Sequence, residues 1–469
     1  MIQAVSILIL LILHFWRLED VPGFHFDEAF AARLALRVAT EAGYWPVEAQ
    51  SPFTSAWSHW VAAAGFRVLG AGILEFRLLH MLEVWGGMIF LWAAVGKRWG
   101  KEARAWFFPA VALLPALYLN HRFAIELTGF HVFCFGVMVF GIAHRQVWMA
   151  VAAAVLGVWS HVLFLAPVLA VLGVIELEKI AISVREKRVV ALGFASLLPF
   201  FYRIAVRLPD DPRPKAFVFL AIAGALFYAM NGGIPRWGGA PWVRRLLFAA
   251  AVAWWVPAFF FSEGHWMVLV AKGTFLQDAW VLPGLTIPAW GLAVGALRRK
   301  TPAVGREILF LTILTVSLGV MIPKPTPRYF ELVFLTAAAL GAVGLAGAAK
   351  ARVAWLLGIA GTIWLFAAHY QGGIPVERDF RFAWFKDSSS DFLSKQEVAS
   401  FLGSSGCGAS DIRIADYRGG ETFRFLSESG GWRKAGTPCA WPQAILRRST
   451  EVSHGGKVVA ETAGFVLEM

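Results

Sequence analysis

The sequence predicts a polytopic α-helical membrane protein of about 13 spans, with a small α/β domain outside the membrane at its C-terminal end. Three observations predict it. Of 469 residues, 58% are hydrophobic and 16% charged, with a mean hydropathy of +0.61; soluble domains are nearer half apolar and a quarter charged. Apolar runs alternate with short basic loops through the first 370 residues. After residue 370 the chain changes to Gly/Ser clusters, balanced charge and short β-like runs. The 22 Trp and 39 Phe suit lipid and headgroup surfaces. Three cysteines are too few for a disulfide scaffold or a zinc cluster.

The first apolar run, residues 1–16, has no basic leader and no small-residue cleavage site, so it reads as an uncleaved first span. Residues 17–78 are too polar to cross a bilayer, yet rich in Phe and Trp. They form a first outer loop carrying Glu19, Asp20, Asp27, Glu28, Glu41, Glu48 and Glu75. Further spans are expected at 79–96, 105–120, 124–143, 147–161, 162–177, 189–206, 216–231, 246–262, 280–297, 307–322, 329–348 and 353–370. Segment 264–279, with Lys272 and Asp278, reads as a surface or re-entrant helix outside.

Charge sets the sidedness. The net charge is +12, and residues 371–469 hold 12 basic and 12 acidic residues, so the whole excess lies in the first 370. With a cytoplasmic N-terminus, six inside loops carry 18 of the 31 basic residues before position 371. That is the positive-inside pattern, in short loops rather than in a phosphate-tracking groove, so nucleic acid is excluded as a partner. An odd number of spans then places the tail outside. The expected location is a cell inner or plasma membrane.

The tail, residues 371–469, is expected to be a separate domain beside a transmembrane domain at 1–370. Strands are expected at 411–415 and 457–460, and a helix at 391–402. Cys407 and Cys439 would share an oxidising compartment, as a disulfide or as two thiols. Cys134 falls within a span and reads as core.

Five polar groups carry the chemistry. Asp27 and Glu28 stand between aromatics directly after the first span, where apolar surroundings suit a carboxylate to proton abstraction. The same pair would also cap the helix expected over 29–40. Arg77, His80 and Glu83 follow at i, i+3, i+6 on a broad helix face, as part of a site or as a snorkelling Arg77 with a structural ion pair. Asn120-His121-Arg122 with Glu126 opens another span, and Ser160-His161 lies between two almost wholly apolar runs. Lys324-Pro325-Thr326-Pro327-Arg328-Tyr329 with Glu331 forms a rigid loop whose guanidinium suits phosphate. All five fall on the outer side. Unrelated structural ion pairs have no reason to choose one side, whereas a single interfacial site does. Clustered cations beside carboxylates suit an acceptor hydroxyl next to a phosphate leaving group. Neither a glycine-rich phosphate loop nor an HExxH motif is present in the sequence, which disfavours a cytoplasmic nucleotide-sugar site.

On these residues the sequence resembles the polyprenyl-phosphate-sugar-dependent glycosyltransferases of the GT-C superfamily, in the branch of protein O-mannosyltransferases and aminoarabinose transferases. The resemblance is carried by Asp27-Glu28 after the first span, by Ser51-Pro52, and by Gly70 through Phe76-Arg77 at the second span. It continues in Arg122 with Glu126, in His161 and in the late Arg328-Tyr329. It covers residues 1–180 well and 320–370 weakly. The stretch Ala49-Gln50-Ser51-Pro52 has one proline and no charge where relatives have a charged residue before Pro-Pro. Glu126 stands where the family has Asp.

The resemblance implies a donor sugar on a polyprenyl phosphate in the outer leaflet and an acceptor that is a glycan, lipid or protein. Asp27 would be the base, and Glu28 would orient the acceptor or hold an Arg, with inversion at the anomeric carbon. Arg122, His161, Arg328 and Tyr329 would bind the donor phosphate, and Arg77, His80 and Glu126 the substrate. No cofactor or metal is required by this scheme, since side chains supply the cations. Two other classes share the topology. A lipid-linked polysaccharide polymerase or ligase would carry its large loop between late spans. A secondary transporter would show repeats and charges near the midplane.

Overall fold

The computed structural model describes residues 1–19, 24–49, 51–114, 117–118, 121–124, 128–178, 180–181, 183–209, 218, 221–222, 225, 302–321, 331–346, 348 and 350–370. In the tail it describes 392–393, 413–414, 424–426, 429, 445–448, 458–461 and 465–468. The described helices are α1 (Ile2–Phe15), α2 (Phe26–Thr40), α3 (Trp57–Leu69), α4 (Ile73–Ala112), α5 (Gly129–Ala143) and α6 (Val147–Ser160). They continue with α7 (Leu165–Leu177), α8 (Val184–Arg207), α9 (Pro302–Met321), α10 (Glu331–Ala346) and α11 (Ala351–Tyr370).

α4 and α8 are long and apolar enough to cross a bilayer, and six shorter apolar helices accompany them. The spans expected at 79–96 and 105–120 fall on the two arms of α4, which folds back at Gly100, whose φ of 90° is a conformation only glycine adopts without strain. The Phe108 ring lies 5.9 Å from that of Trp85 and 6.4 Å from that of Trp92, so the two arms run side by side and the turn falls within the expected inside loop at 97–104. The expected spans at 216–231, 246–262 and 280–297, and the segment 264–279, lie outside the described residues apart from isolated positions.

α4 is the hub. It packs on α1, α5 and α10 around a core that includes Leu10, Met88, Phe107, Phe135 and Leu335. α4 and α5 approach so closely at Gly87 and Gly136 that a Cβ on Gly136 would strike the Gly87 backbone, and one on Gly87 the backbone of Val132 and Phe133. Small residues allow this approach where lipid supplies no hydrophobic drive between helices.

The first outer loop folds into α2 and α3, which pack on each other beneath a second core. Ala29, Ala32 and Ala35 lie buried at helical spacing on α2, facing Ala62, Ala63 and Phe66. The tail reaches the same core. β1 (Phe24–His25) pairs antiparallel with β2 (Phe392–Leu393), and the Phe425 ring lies 5.2 Å from that of Phe24. Residues 392–393, at the start of the helix expected over 391–402, form a strand, and the rest of that stretch lies outside the described residues. Four further strands, β3 (Arg413–Ile414), β4 (Ile445–Arg448), β5 (Val458–Glu461) and β6 (Phe465–Glu468), form one sheet in the order β3-β4-β6-β5. β3 and β4 are parallel and the rest antiparallel. β3 and β5 fall where the sequence predicts strands. Cys134 is buried, while Cys407 and Cys439 lie outside the described residues.

Candidate active site

The acidic motif sits at the start of α2, and local hydrogen bonds explain why the helix begins there. His25 is the N-cap. Its Nδ1 accepts from the Asp27 backbone N–H at 3.1 Å, and Glu28 Oε2 accepts from the His25 N–H at 3.1 Å. This capping box satisfies two donors that a helix start otherwise leaves open.

Glu28 does more than cap. It is fully buried, and Arg77 of α4 grips it with both arms of the guanidinium. Nε donates to Oε1 at 3.0 Å and Nη2 to Oε2 at 2.8 Å. Oε1 also accepts from the Ala124 N–H at 2.8 Å. Arg77 Nη1 donates to the Leu18 carbonyl at 2.9 Å, which ties in the chain just after α1. A desolvated ion pair is favourable only when its remaining hydrogen-bonding capacity is met, and here it is. Of the two parts expected of Glu28, orienting the acceptor or holding an Arg, the structure shows the second. Glu28 and Arg77, both without exposed surface, form an ion pair that joins α2, α4 and the loop at 121–124.

Asp27, one residue earlier, differs. Its side chain keeps 14% exposure, with Oδ2 3.6 Å from His25 Nδ1. Successive residues on a helix point about 100° apart. One carboxylate is therefore anchored inward while the other reaches the surface of the motif.

The Arg122 guanidinium is buried against the C-terminal end of α1. Nη1 donates to the Leu13 carbonyl at 2.6 Å, and Nη2 to the Trp16 carbonyl at 2.7 Å. The last carbonyls of a helix lack internal partners and attract cations. Burial, and then the charge of Arg77, lower its pKa to about 9, so it remains cationic at neutral pH. Through these two donations the guanidinium caps the first span.

His80 is buried and its Nε2 lies 2.9 Å from the Thr128 hydroxyl, which donates to the Phe123 carbonyl. Together with Ser58, His59 and Glu83 it lines a cavity of about 30 Å³, room for about one water. Burial lowers the pKa of His59 on α3 to about 4.

His161 ends α6 in an extended conformation and accepts the Leu163 N–H on Nδ1 at 3.1 Å. It pairs with Thr54 across an antiparallel bridge, so the expected proline element at Ser51-Pro52 lies against it. Arg203 of α8 clamps this loop from the other side through the Val47, Pro52 and Thr54 carbonyls, with Glu48 Oε1 3.8 Å from its Nε. Glu126, Arg328 and Tyr329 lie outside the described residues.

Three features were missed by sequence reasoning. The Ala124 N–H is backbone and leaves no sequence signal. Arg203 lies on a span end, where an arginine reads as topology. The close pair of His121 Nε2 and Glu331 Oε1, at 2.6 Å, joins two of the five polar groups. Its signal was the presence of two ionisable residues at membrane depth.

Neither a protein-family model nor a curated protein matches the sequence. The fold does match solved structures. ArnT from Cupriavidus metallidurans bound to undecaprenyl phosphate is similar over 99% of this chain and 97% of that one, with a TM-score of 0.59 and 16% identity. The apo state of the same protein gives a TM-score of 0.57 over the same shares, at 15% identity. The oligosaccharyltransferase of Archaeoglobus fulgidus in its apo form gives 0.53 at 11% identity, over 91% of this chain and 63% of that one. These likenesses show that this chain shares the fold of those two proteins.

Proposed function

We propose that the protein is a membrane glycosyltransferase that moves a sugar from a polyprenyl-phosphate donor to an acceptor on the outer face of the membrane. The observation that carries this reading is the mounting of the acidic motif. Glu28 is locked by Arg77, His25 and Ala124, and Asp27 stays accessible on a backbone that cannot move independently. The likeness to an ArnT structure bound to undecaprenyl phosphate supports the donor class.

In this scheme Asp27 accepts the acceptor's hydroxyl proton as the oxygen attacks the anomeric carbon. The C–O bond to the phosphate breaks on the opposite face, so configuration inverts. The phosphate leaves with the bond pair, and charge on it is offset by cations fixed in advance. Since Arg122 is occupied with α1, we assign that task to Arg328 and Tyr329 with His161. His80 faces the cavity beside Ala124 and is assigned to the acceptor side, with Glu126. The N-terminus is placed in the cytoplasm and residues 371–469 outside.

Reconstitution tests this. The protein in liposomes is offered undecaprenyl-phosphate-linked hexoses and pentoses, and release of undecaprenyl phosphate is followed by mass spectrometry. Release from at least one donor is expected. No release from any donor, together with no binding of undecaprenyl phosphate itself, would overturn the proposal.

A further inference from the structure

Three ionisable side chains that the mechanism above does not use stand in line inside the protein. His14 is on the last turn of α1, His121 opens the loop after α4, and Glu331 is the first residue of α10. His121 Nε2 lies 2.6 Å from Glu331 Oε1, and His121 Nδ1 lies 3.2 Å from His14 Nε2. All three are at most 1% exposed. His14 Nδ1, His121 Nε2 and both Glu331 carboxylate oxygens make no aligned hydrogen bond among the described residues. Burying three such groups at membrane depth is expensive, so the arrangement calls for a reason beyond stability.

The two contacts in the line differ in kind. His121 Nδ1 and His14 Nε2 share a hydrogen bond, while His121 Nε2 and Glu331 Oε1 meet as a close polar contact without hydrogen-bond alignment. The carboxylate stands directly against the His121 ring and so fixes where that ring can sit, as carboxylates behind functional histidines do.

What His121 holds is the loop at 121–124, and each residue of that loop grips another part of the site. Arg122 caps α1. The Phe123 ring lies edge-on to the His25 ring, with centroids 6.5 Å apart. The Ala124 N–H donates to Glu28 Oε1. The loop is thus the seat of the acidic motif, and Glu331 fastens its leading end.

We infer that Glu331, acting through His121, is a positioning residue for the Asp27–Glu28 motif. The catalytic meaning of this rests on the glycosyltransferase reading, but the first test does not. Backbone amide exchange is measured on the full-length protein in nanodiscs for the wild type, Glu331→Ala and Glu331→Gln. Removing the carboxylate should raise exchange about tenfold at the amides of His25, Asp27 and Ala124, leaving α8 unchanged. Gln keeps the size of the side chain and a polar oxygen beside His121 Nε2, and should stay within about twofold of wild type. In the second arm, Glu331→Ala should lower turnover of an undecaprenyl-phosphate-linked sugar by about 10²-fold, the cost of a misplaced base. Affinity for undecaprenyl phosphate should hold, and Gln should rescue turnover.

The inference is overturned if those three amides do not respond to Glu331→Ala, if exchange rises uniformly along the chain, or if Gln is as damaging as Ala. If the amides respond as expected while the wild type turns over no donor, the positioning role stands and the glycosyltransferase reading falls.

Discussion

Arg77 Nη2 and Glu28 Oε2 lie 2.8 Å apart at zero exposure, although 49 residues separate them in the chain. This contact fastens the first outer loop to the start of α4. Arg77→Met should therefore leave a buried carboxylate without its cation and cost about 3–5 kcal/mol. Thermal unfolding in detergent measures it. Adding Glu28→Leu should recover only part of the loss, because the His25 and Ala124 N–H groups would then be orphaned, at about 1–3 kcal/mol each. An Arg77→Met protein as stable as wild type would remove the structural role argued here.

A second prediction separates the two readings of Arg122. If it caps α1, Arg122→Lys loses the two-armed grip on the Leu13 and Trp16 carbonyls, since an ammonium has no fork. Stability should fall by about 1–2 kcal/mol. Undecaprenyl phosphate should bind as before. A selective loss of that binding, with stability intact, would return Arg122 to the donor phosphate.

The fold was legible because bilayer insertion writes itself into sequence. Apolar runs, basic loops and the change after residue 370 needed no tertiary information. α6 and α10 lie within about two residues of the expected spans. The turn at Gly100 falls inside the loop expected at 97–104, which Lys97, Arg98, Lys101 and Arg104 mark in the sequence. In the site, residue types identified the polar groups, but not what each group faces. Arg122 and Arg77 both looked like cations for a ligand. One is held by helix carbonyls and the other by a carboxylate, and only packing decides that. The seat at 121–124 depends on a backbone N–H, which no residue type announces.

The third prediction concerns pH. His59 is 2% exposed, and burial lowers its pKa from 6.5 to about 4. The unfolded chain takes up a proton between those values and the folded chain does not. The contribution of the neutral ring is therefore complete above pH 6.5, and is lost as pH falls from 6.5 towards 4. Wild type should lose more thermal stability across this window than His59→Gln. Parallel curves for the two proteins would show that His59 titrates normally.

The last prediction concerns the base itself. Asp27 and Glu28 are adjacent carboxylates with different surroundings, one 14% exposed and one fully buried. Asp27→Asn keeps the shape and removes the basicity, and the Asp27 N–H that His25 accepts is backbone, so the capping box survives. Unfolding temperature should barely change, and undecaprenyl phosphate should bind as in wild type. Turnover should fall by about 10²–10⁴-fold, the usual worth of a general base. Glu28→Gln should behave in the opposite way. It weakens the Arg77 pair, so stability falls first and turnover only in proportion to the displaced motif. The decisive measurement is the ratio of turnover to folded protein for the two variants side by side. A normal ratio for Asp27→Asn with a collapsed one for Glu28→Gln would make Glu28 the base despite its burial. Normal ratios for both would mean that neither carboxylate takes the acceptor's proton.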